Sequence, residues 1–112
     1  MRFINIEELL LILFLFTGFL FHGCENSEIG RLDNACAESN LESCYKLGMH
    51  YEKEAIRDKA KSYYLLACSK SVSQACYKLG VFSNDQGNSS KGKKFFQLGC
   101  DYGNADCCKQ IN

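Results

Sequence analysis

Eight cysteines are the residues of this 112-residue chain with the clearest capacity for chemistry. The C-x-x-C pairs typical of zinc sites are absent, which favours disulfides over metal ligation. Two series recur with one period of thirty-two: Cys36, Cys68 and Cys100, and Cys44, Cys76 and Cys108. If each eight-residue step crosses a junction between two antiparallel helices, the Cα atoms can approach to the ~5–6 Å that a bridge requires. The predicted pairs are Cys36–Cys44, Cys68–Cys76 and Cys100–Cys108.

Cys107 is left over in this pairing and stands one period after Ala75. We interpret it as an inert thiol in the core. Two alternatives stay open at this point. Cys100 pairs with Cys107 and leaves Cys108 free, or Cys24 pairs with Cys107.

Nucleophilic catalysis has weaker support in the sequence. Ser43-x-x-Lys46 and Ser90-x-x-Lys93 have the spacing of a serine activated by lysine, but the Ser-Asp-Asn and Lys-Thr-Gly elements that accompany it are missing. We interpret both matches as chance, and no catalytic residue is assigned. His50 is the only histidine after the leader, so a zinc hydrolase is excluded, and we expect neither metal nor cofactor.

The elements that position these residues are predicted from the repeat. Ser43–Gly48 matches Ala75–Gly80, and 61–68 matches 93–100, both at a distance of one period. Each repeat is interpreted as two helices, the second over about 58–69, with Ser89 or Ser90 capping its counterpart. Mid-helix Gly48 and Gly80 indicate close helix contact. The predicted fold is all-α, a right-handed α/α solenoid of about two and a half helix-turn-helix repeats stapled by disulfides.

Binding is the default function of the surface that the first helices of such repeats line. The candidate binding residues are Tyr45, Lys46, His50, Tyr77 and Lys78, with Met49 beside them. Their types suit a peptide backbone, a carboxylate or a sugar ring. For any single residue, the competing interpretation is that the lysines are simply solvated and the tyrosines partly core.

The N-terminal segment predicts export. Leu9 to Phe21 are thirteen uncharged residues, which suits a signal peptide over 1–23 and is short of the roughly 20 residues of a spanning helix. Gly23-Cys24 is similar to a degenerate lipoprotein box, so lipidation and membrane anchoring of Cys24 and simple release are equal alternatives. Residues 24–35 are expected to form a linker and a partial capping helix, and 36–112 the repeats. The mature chain keeps 12 Lys+Arg and 11 Asp+Glu, which argues against a nucleic-acid partner.

Three patterns resemble those of Sel-one-like repeats, relatives of tetratricopeptide repeats: Leu47-Gly48-x-x-Tyr51, Lys59-Ala60-x-x-Tyr63-Tyr64 and Gly103-Asn104-Ala105-Asp106. The eight-residue cysteine spacing resembles the Helicobacter cysteine-rich proteins, which are exported, disulfide-bridged and often labelled beta-lactamases. The resemblance covers about Ser27 to Asn112. The period departs from it, being thirty-two rather than thirty-six, because the Gly-x-Gly-Val turn is missing.

Three functions follow as hypotheses. The first is an exported module, secreted or periplasmic, that binds a protein, a peptide or a peptidoglycan-related ligand. The resemblance implies the second, binding and slow hydrolysis of beta-lactams. The third is a small accessory or immunity-like protein that docks on another protein.

Overall fold

A computed structural model describes residues 5–112, with the side chains of 5–13 and 27–112. Within this part the chain is all-α, which confirms the predicted fold class. The helices are α1 (Ile6–Ala37), α2 (Leu41–Lys53), α3 (Arg57–Ser69), α4 (Ser73–Asp85), α5 (Ser89–Asp101) and α6 (Ala105–Ile111). The chain divides into two compact units, Met1–Arg31 and Leu32–Asn112, and the second contains the repeats.

The first unit contains the N-terminal part of α1, where the apolar side chains of Leu9–Leu13 are exposed. Among the described residues, no helix combines the length and apolar character needed to span a membrane. The segment 24–35, where we expected a linker and a partial capping helix, lies within α1. The side chain of Cys24 lies outside the described residues, so its lipidation stays a prediction.

The second unit repeats its backbone with the period of its sequence. The helices α2 to α5 are equal in length, and α4, α5 and α6 begin one full period after α2, α3 and α4 respectively. The turns repeat as well. The residues with positive φ are Ser39, Ser71 and Gly103 before the first helices, and Ala55 and Gly87 before the second helices. This left-handed residue after each helix lets a following amide bond back to the last turn.

The bonds that close these turns are periodic too. The backbone N–H groups of Asn40, Val72 and Asn104 donate to carbonyls five residues earlier, at 2.9, 3.0 and 2.9 Å. The side chains of Asn40 and Asn104 then cap α2 and α6 by accepting from Ser43 N and Cys107 N. The expectation that Ser89 or Ser90 caps the second helix of repeat two is wrong, because α5 already begins at Ser89. Its cap is Asn88, whose side chain accepts from Lys91 N at 3.1 Å.

Successive helices pack on one another, α2 on α3, α3 on α4, α4 on α5 and α5 on α6. The glycines allow the closest approaches. A Cβ at Gly48 would collide with the ring of Tyr64, and a Cβ at Gly80 would lie 2.6 Å from Cε1 of Phe96. The predicted close contact at both glycines is therefore confirmed, with an aromatic ring of the following helix in each case.

The bridges join Cys36 to Cys44, Cys68 to Cys76 and Cys100 to Cys108, with Cα atoms 4.8, 4.9 and 4.7 Å apart. These are the pairs that the eight-residue spacing predicts. Each bridge ties the end of one helix to the start of the next. Intramolecular disulfides persist in oxidising compartments, so the bridges indicate a protein located outside the cytosol.

Cys107 is a free thiol and fully buried. The alternative pairing of Cys100 with Cys107 is therefore wrong, because Cys100 is bonded to Cys108. Burial, together with the neighbouring Asp106 carboxylate, raises the pKa of the Cys107 thiol. The protonated thiol is a poor nucleophile.

Candidate functional site

A half-buried polar cluster joins three consecutive helices. Glu52 of α2 accepts a 2.5 Å hydrogen bond from the hydroxyl of Tyr64 on α3 and forms a 3.1 Å ion pair with Lys78 on α4. The Glu52 and Lys78 side chains stay 33% and 32% exposed. The cluster therefore combines an anion, a cation and a hydrogen-bond donor at a position that still reaches solvent.

Tyr64 is the buried member of this cluster and has no exposed surface. Desolvation raises the pKa of its hydroxyl, and the hydrogen bond to Glu52 and the charge of that carboxylate raise the pKa further. Tyr64 therefore remains a proton donor to Glu52 at any physiological pH. Tyr64 and Lys78 thus both contact the Glu52 carboxylate, and the rest of its surface is partly exposed.

The repeat explains why this cluster occurs at one junction. One period after Glu52, Tyr64 and Lys78, the chain has Asn84, Phe96 and Gln110. None of these replacements carries a charge. The two junctions therefore share a backbone and differ in electrostatics.

Two of the predicted binding residues, Tyr45 and Tyr77, contribute mainly to packing. Both are half-buried, with ring centroids 5.7 Å from Tyr64 and 5.6 Å from Phe96 respectively. Each tyrosine covers a ring that fills the space above a helical glycine. These ring contacts fit the competing interpretation, in which the tyrosines are partly core residues.

The other predicted binding residues differ in their surroundings. Lys46 is exposed, and Met49 on the same helix is 38% exposed. His50 is half-buried, its ring edge-on to Tyr51 at 5.2 Å. Lys78 is engaged by Glu52, so the two repeated lysines have different environments although their register is the same.

Sequence reasoning missed Glu52 and Tyr64 as members of the cluster. The separation of Glu52 and Lys78 along the chain is six residues shorter than the period. A comparison of equivalent positions in the repeats therefore does not pair these two residues. The sequence did contain one chemical signal. Glu52 is acidic, whereas the equivalent position one period later is the uncharged Asn84.

A second aromatic cluster lies where α2 and α3 meet the end of α1. The rings of Tyr51 and Tyr63 stack at 5.5 Å and 4°, and Lys59 lies over Tyr51 at 5.1 Å. The Tyr63 hydroxyl donates to Asp33 at 2.8 Å. Desolvation, and then this hydrogen bond, raises the pKa of Tyr63 to about 12. These groups satisfy one another, so the cluster stabilises the junction with α1.

The two serines that have a lysine three residues later lie in different surroundings. Ser43 is buried while Lys46 is exposed, and no hydrogen bond between them occurs in the described part of the chain. Ser90 and Lys93 are both exposed and line one open groove, which Asn84 and Gln110 also border. Over the described side chains, no three metal-ligating residues gather into a metal site.

A comparison of the chain with protein-family models finds no match, and no curated protein matches its sequence. What the structure itself shows is a cysteine-rich helical repeat protein with three disulfides between adjacent helices.

Proposed function

We propose that this chain is an exported recognition module of the Sel-one-like type, which binds an extended peptide or the peptide stem of a cell-wall fragment along α2 and α4. The observation that carries the proposal is the Glu52–Lys78 ion pair, 3.1 Å long and partly exposed. It connects the first helix of one repeat to the first helix of the next.

The cluster supports recognition because its polar groups are preorganised. Tyr64 is buried and cannot reorient freely, so the position of Glu52 is fixed before any ligand arrives. A ligand amide N–H could bond to Glu52 without an ordering cost for the carboxylate, and preorganised groups bind more tightly for this reason. Exposed Lys46 supplies a cation for a ligand carboxylate, and exposed Met49 supplies adaptable apolar surface between them.

The test is binding of soluble muropeptides, and of the stem peptides alone, to the oxidised protein by calorimetry. We expect Lys46→Ala to weaken binding at least about tenfold, since one charged hydrogen bond contributes roughly 1.5–3 kcal/mol. Lys94→Ala, an exposed lysine on α5, is the matched control and should leave the affinity unchanged. Equal losses of affinity in both variants would show that the interaction is nonspecific charge attraction. If neither the muropeptides nor the stem peptides bind, the proposed ligand class is rejected.

Hydrolysis of beta-lactams is the competing function that the family resemblance implies. Only the shared groove of Ser90 and Lys93 favours it. Turnover of a chromogenic cephalosporin, compared with Ser90→Ala and Ser43→Ala, separates the two functions. Robust turnover abolished by either change would establish an enzyme in place of a recognition module.

A further inference from the structure

The three bridges differ in how accessible they are. Cys36, Cys44, Cys68 and Cys76, which form the first two bridges, are all buried, with at most 6% of their surface exposed. Cys100 and Cys108 are both only half-buried. A reductant must reach a sulfur atom to attack it, so the partly exposed third bridge should be attacked more readily than the two buried ones, which require local unfolding.

The third bridge also ties α6 to α5, the helix on which α6 chiefly packs. The centre of that contact is fully buried Cys107, whose Sγ lies against Gly99 of α5.

We propose that the Cys100–Cys108 bridge is a redox switch, whose reduction by a dithiol releases α6 from α5 and exposes Cys107. In the first step, a thiolate of the dithiol attacks one sulfur of the bridge and displaces the other as a thiolate, which takes up a proton. The second thiol then resolves the mixed disulfide. The dithiol ends as an oxidised disulfide, two electrons reach the protein, and Cys100 and Cys108 become thiols.

The distinguishing consequence is stoichiometric. Reduction of one bridge creates two thiols, but the switch presents three, because Cys107 becomes accessible when α6 leaves. While α6 is docked, the pKa of the Cys107 thiol is raised by burial, so the folded oxidised protein should leave it unmodified. The newly exposed face of α5 includes Gly99, which is otherwise buried.

The experiment treats the full oxidised chain with limiting dithiothreitol, quenches with iodoacetamide and quantifies each cysteine by peptide mass spectrometry. We expect Cys100, Cys107 and Cys108 to be alkylated together, at least about tenfold faster than the four buried bridged cysteines. The Cys68–Cys76 bridge is the internal control, since its spacing and Cα separation are nearly the same.

Two results would overturn the proposal. If all three bridges are reduced at the same rate, opening is global and the third bridge is no switch. If Cys100 and Cys108 are alkylated while Cys107 stays protected, α6 remains docked without its tether.

Discussion

The fully buried position of Cys107 should depend on the absence of a side chain at Gly99. A Cβ added at Gly99 would collide with Cys107 Sγ and would lie 3.2 Å from Cys107 Cβ and 3.3 Å from Cys76 Cβ. One period earlier the same two positions are occupied by Ala67 and Ala75, both fully buried. The two junctions thus divide a similar volume differently, as glycine with cysteine in one and as two alanines in the other.

The magnitudes follow from opposing effects. Gly99→Ala gains about 1 kcal/mol of helix propensity but overpacks a site that two neighbours enclose, at a cost of roughly 1–3 kcal/mol. Cys76 is bonded to Cys68 and cannot move aside. Cys107→Ala alone removes one buried atom and should cost about 1 kcal/mol. In the double variant the clash with Cys107 Sγ is gone and the helix gain remains, while the tight contacts with the two Cβ atoms persist. We therefore expect a stability within ~1 kcal/mol of the parent and a coupling of about 1–3 kcal/mol between the sites.

The assay is urea unfolding of the four proteins with their bridges intact, with the free energy of unfolding taken by linear extrapolation. Gly30→Ala is the control for helix propensity alone, because a Cβ there meets no atom within 4 Å. Additive losses in the double variant would refute the proposed division of volume between positions 99 and 107.

Three further outcomes are expected. Ala55 has φ 60°, and its counterpart Gly87 has φ 79°. Ala55→Gly should therefore raise the melting temperature by about 4–8 °C, for ~1 kcal/mol of relieved backbone strain, while Gly87→Ala should lower the melting temperature. A change of the same sign in both variants would contradict the backbone argument. Tyr63 has a pKa of about 12 in the folded protein against 10.0 in the unfolded chain, so its contribution to stability is complete below pH 10 and is lost as the pH rises through about 12. Asp33→Asn should lower this pKa in a tyrosinate absorbance titration referenced to Tyr63→Phe, and an unchanged titration would argue against the hydrogen bond. Complete reduction should lower the melting temperature strongly, because bridges of this loop length contribute roughly 2–3 kcal/mol each to a total of 5–15 kcal/mol, and an unchanged melt would show the core to be sufficient alone.

Much of the fold was predictable because one period governs it. The cysteine series alone place each junction between repeats, and the mid-helix Gly48 and Gly80 indicate which helix faces meet within a repeat. The cap of α5 was mispredicted because serine at 89 or 90 has good capping chemistry, whereas the position is decided by the preceding left-handed turn at Gly87, which places Asn88 at the cap. Backbone geometry outweighed the local preference of the side chain.

The candidate site was predicted less completely, since its contacts do not follow the period. Lys78 was named from its repetition with Lys46, but its partner Glu52 belongs to the preceding repeat and was missed. The pairing of Gly99 with Cys107 was missed too, although these residues are eight apart, the spacing of every bridge. Positions one residue before the bridged cysteines face each other for the same geometric reason, and this signal was available in the sequence.

The eight-residue separation of every bridge bears on how the protein matures. Closing so short a loop costs little chain entropy, and the left-handed turns at Ser39, Ser71 and Gly103 already direct the chain back on itself at each junction. A cysteine therefore meets its native partner long before it meets the cysteines of another repeat. Each junction can therefore be oxidised independently of the others. Isomers that join cysteines of different repeats should be rare even without an isomerase.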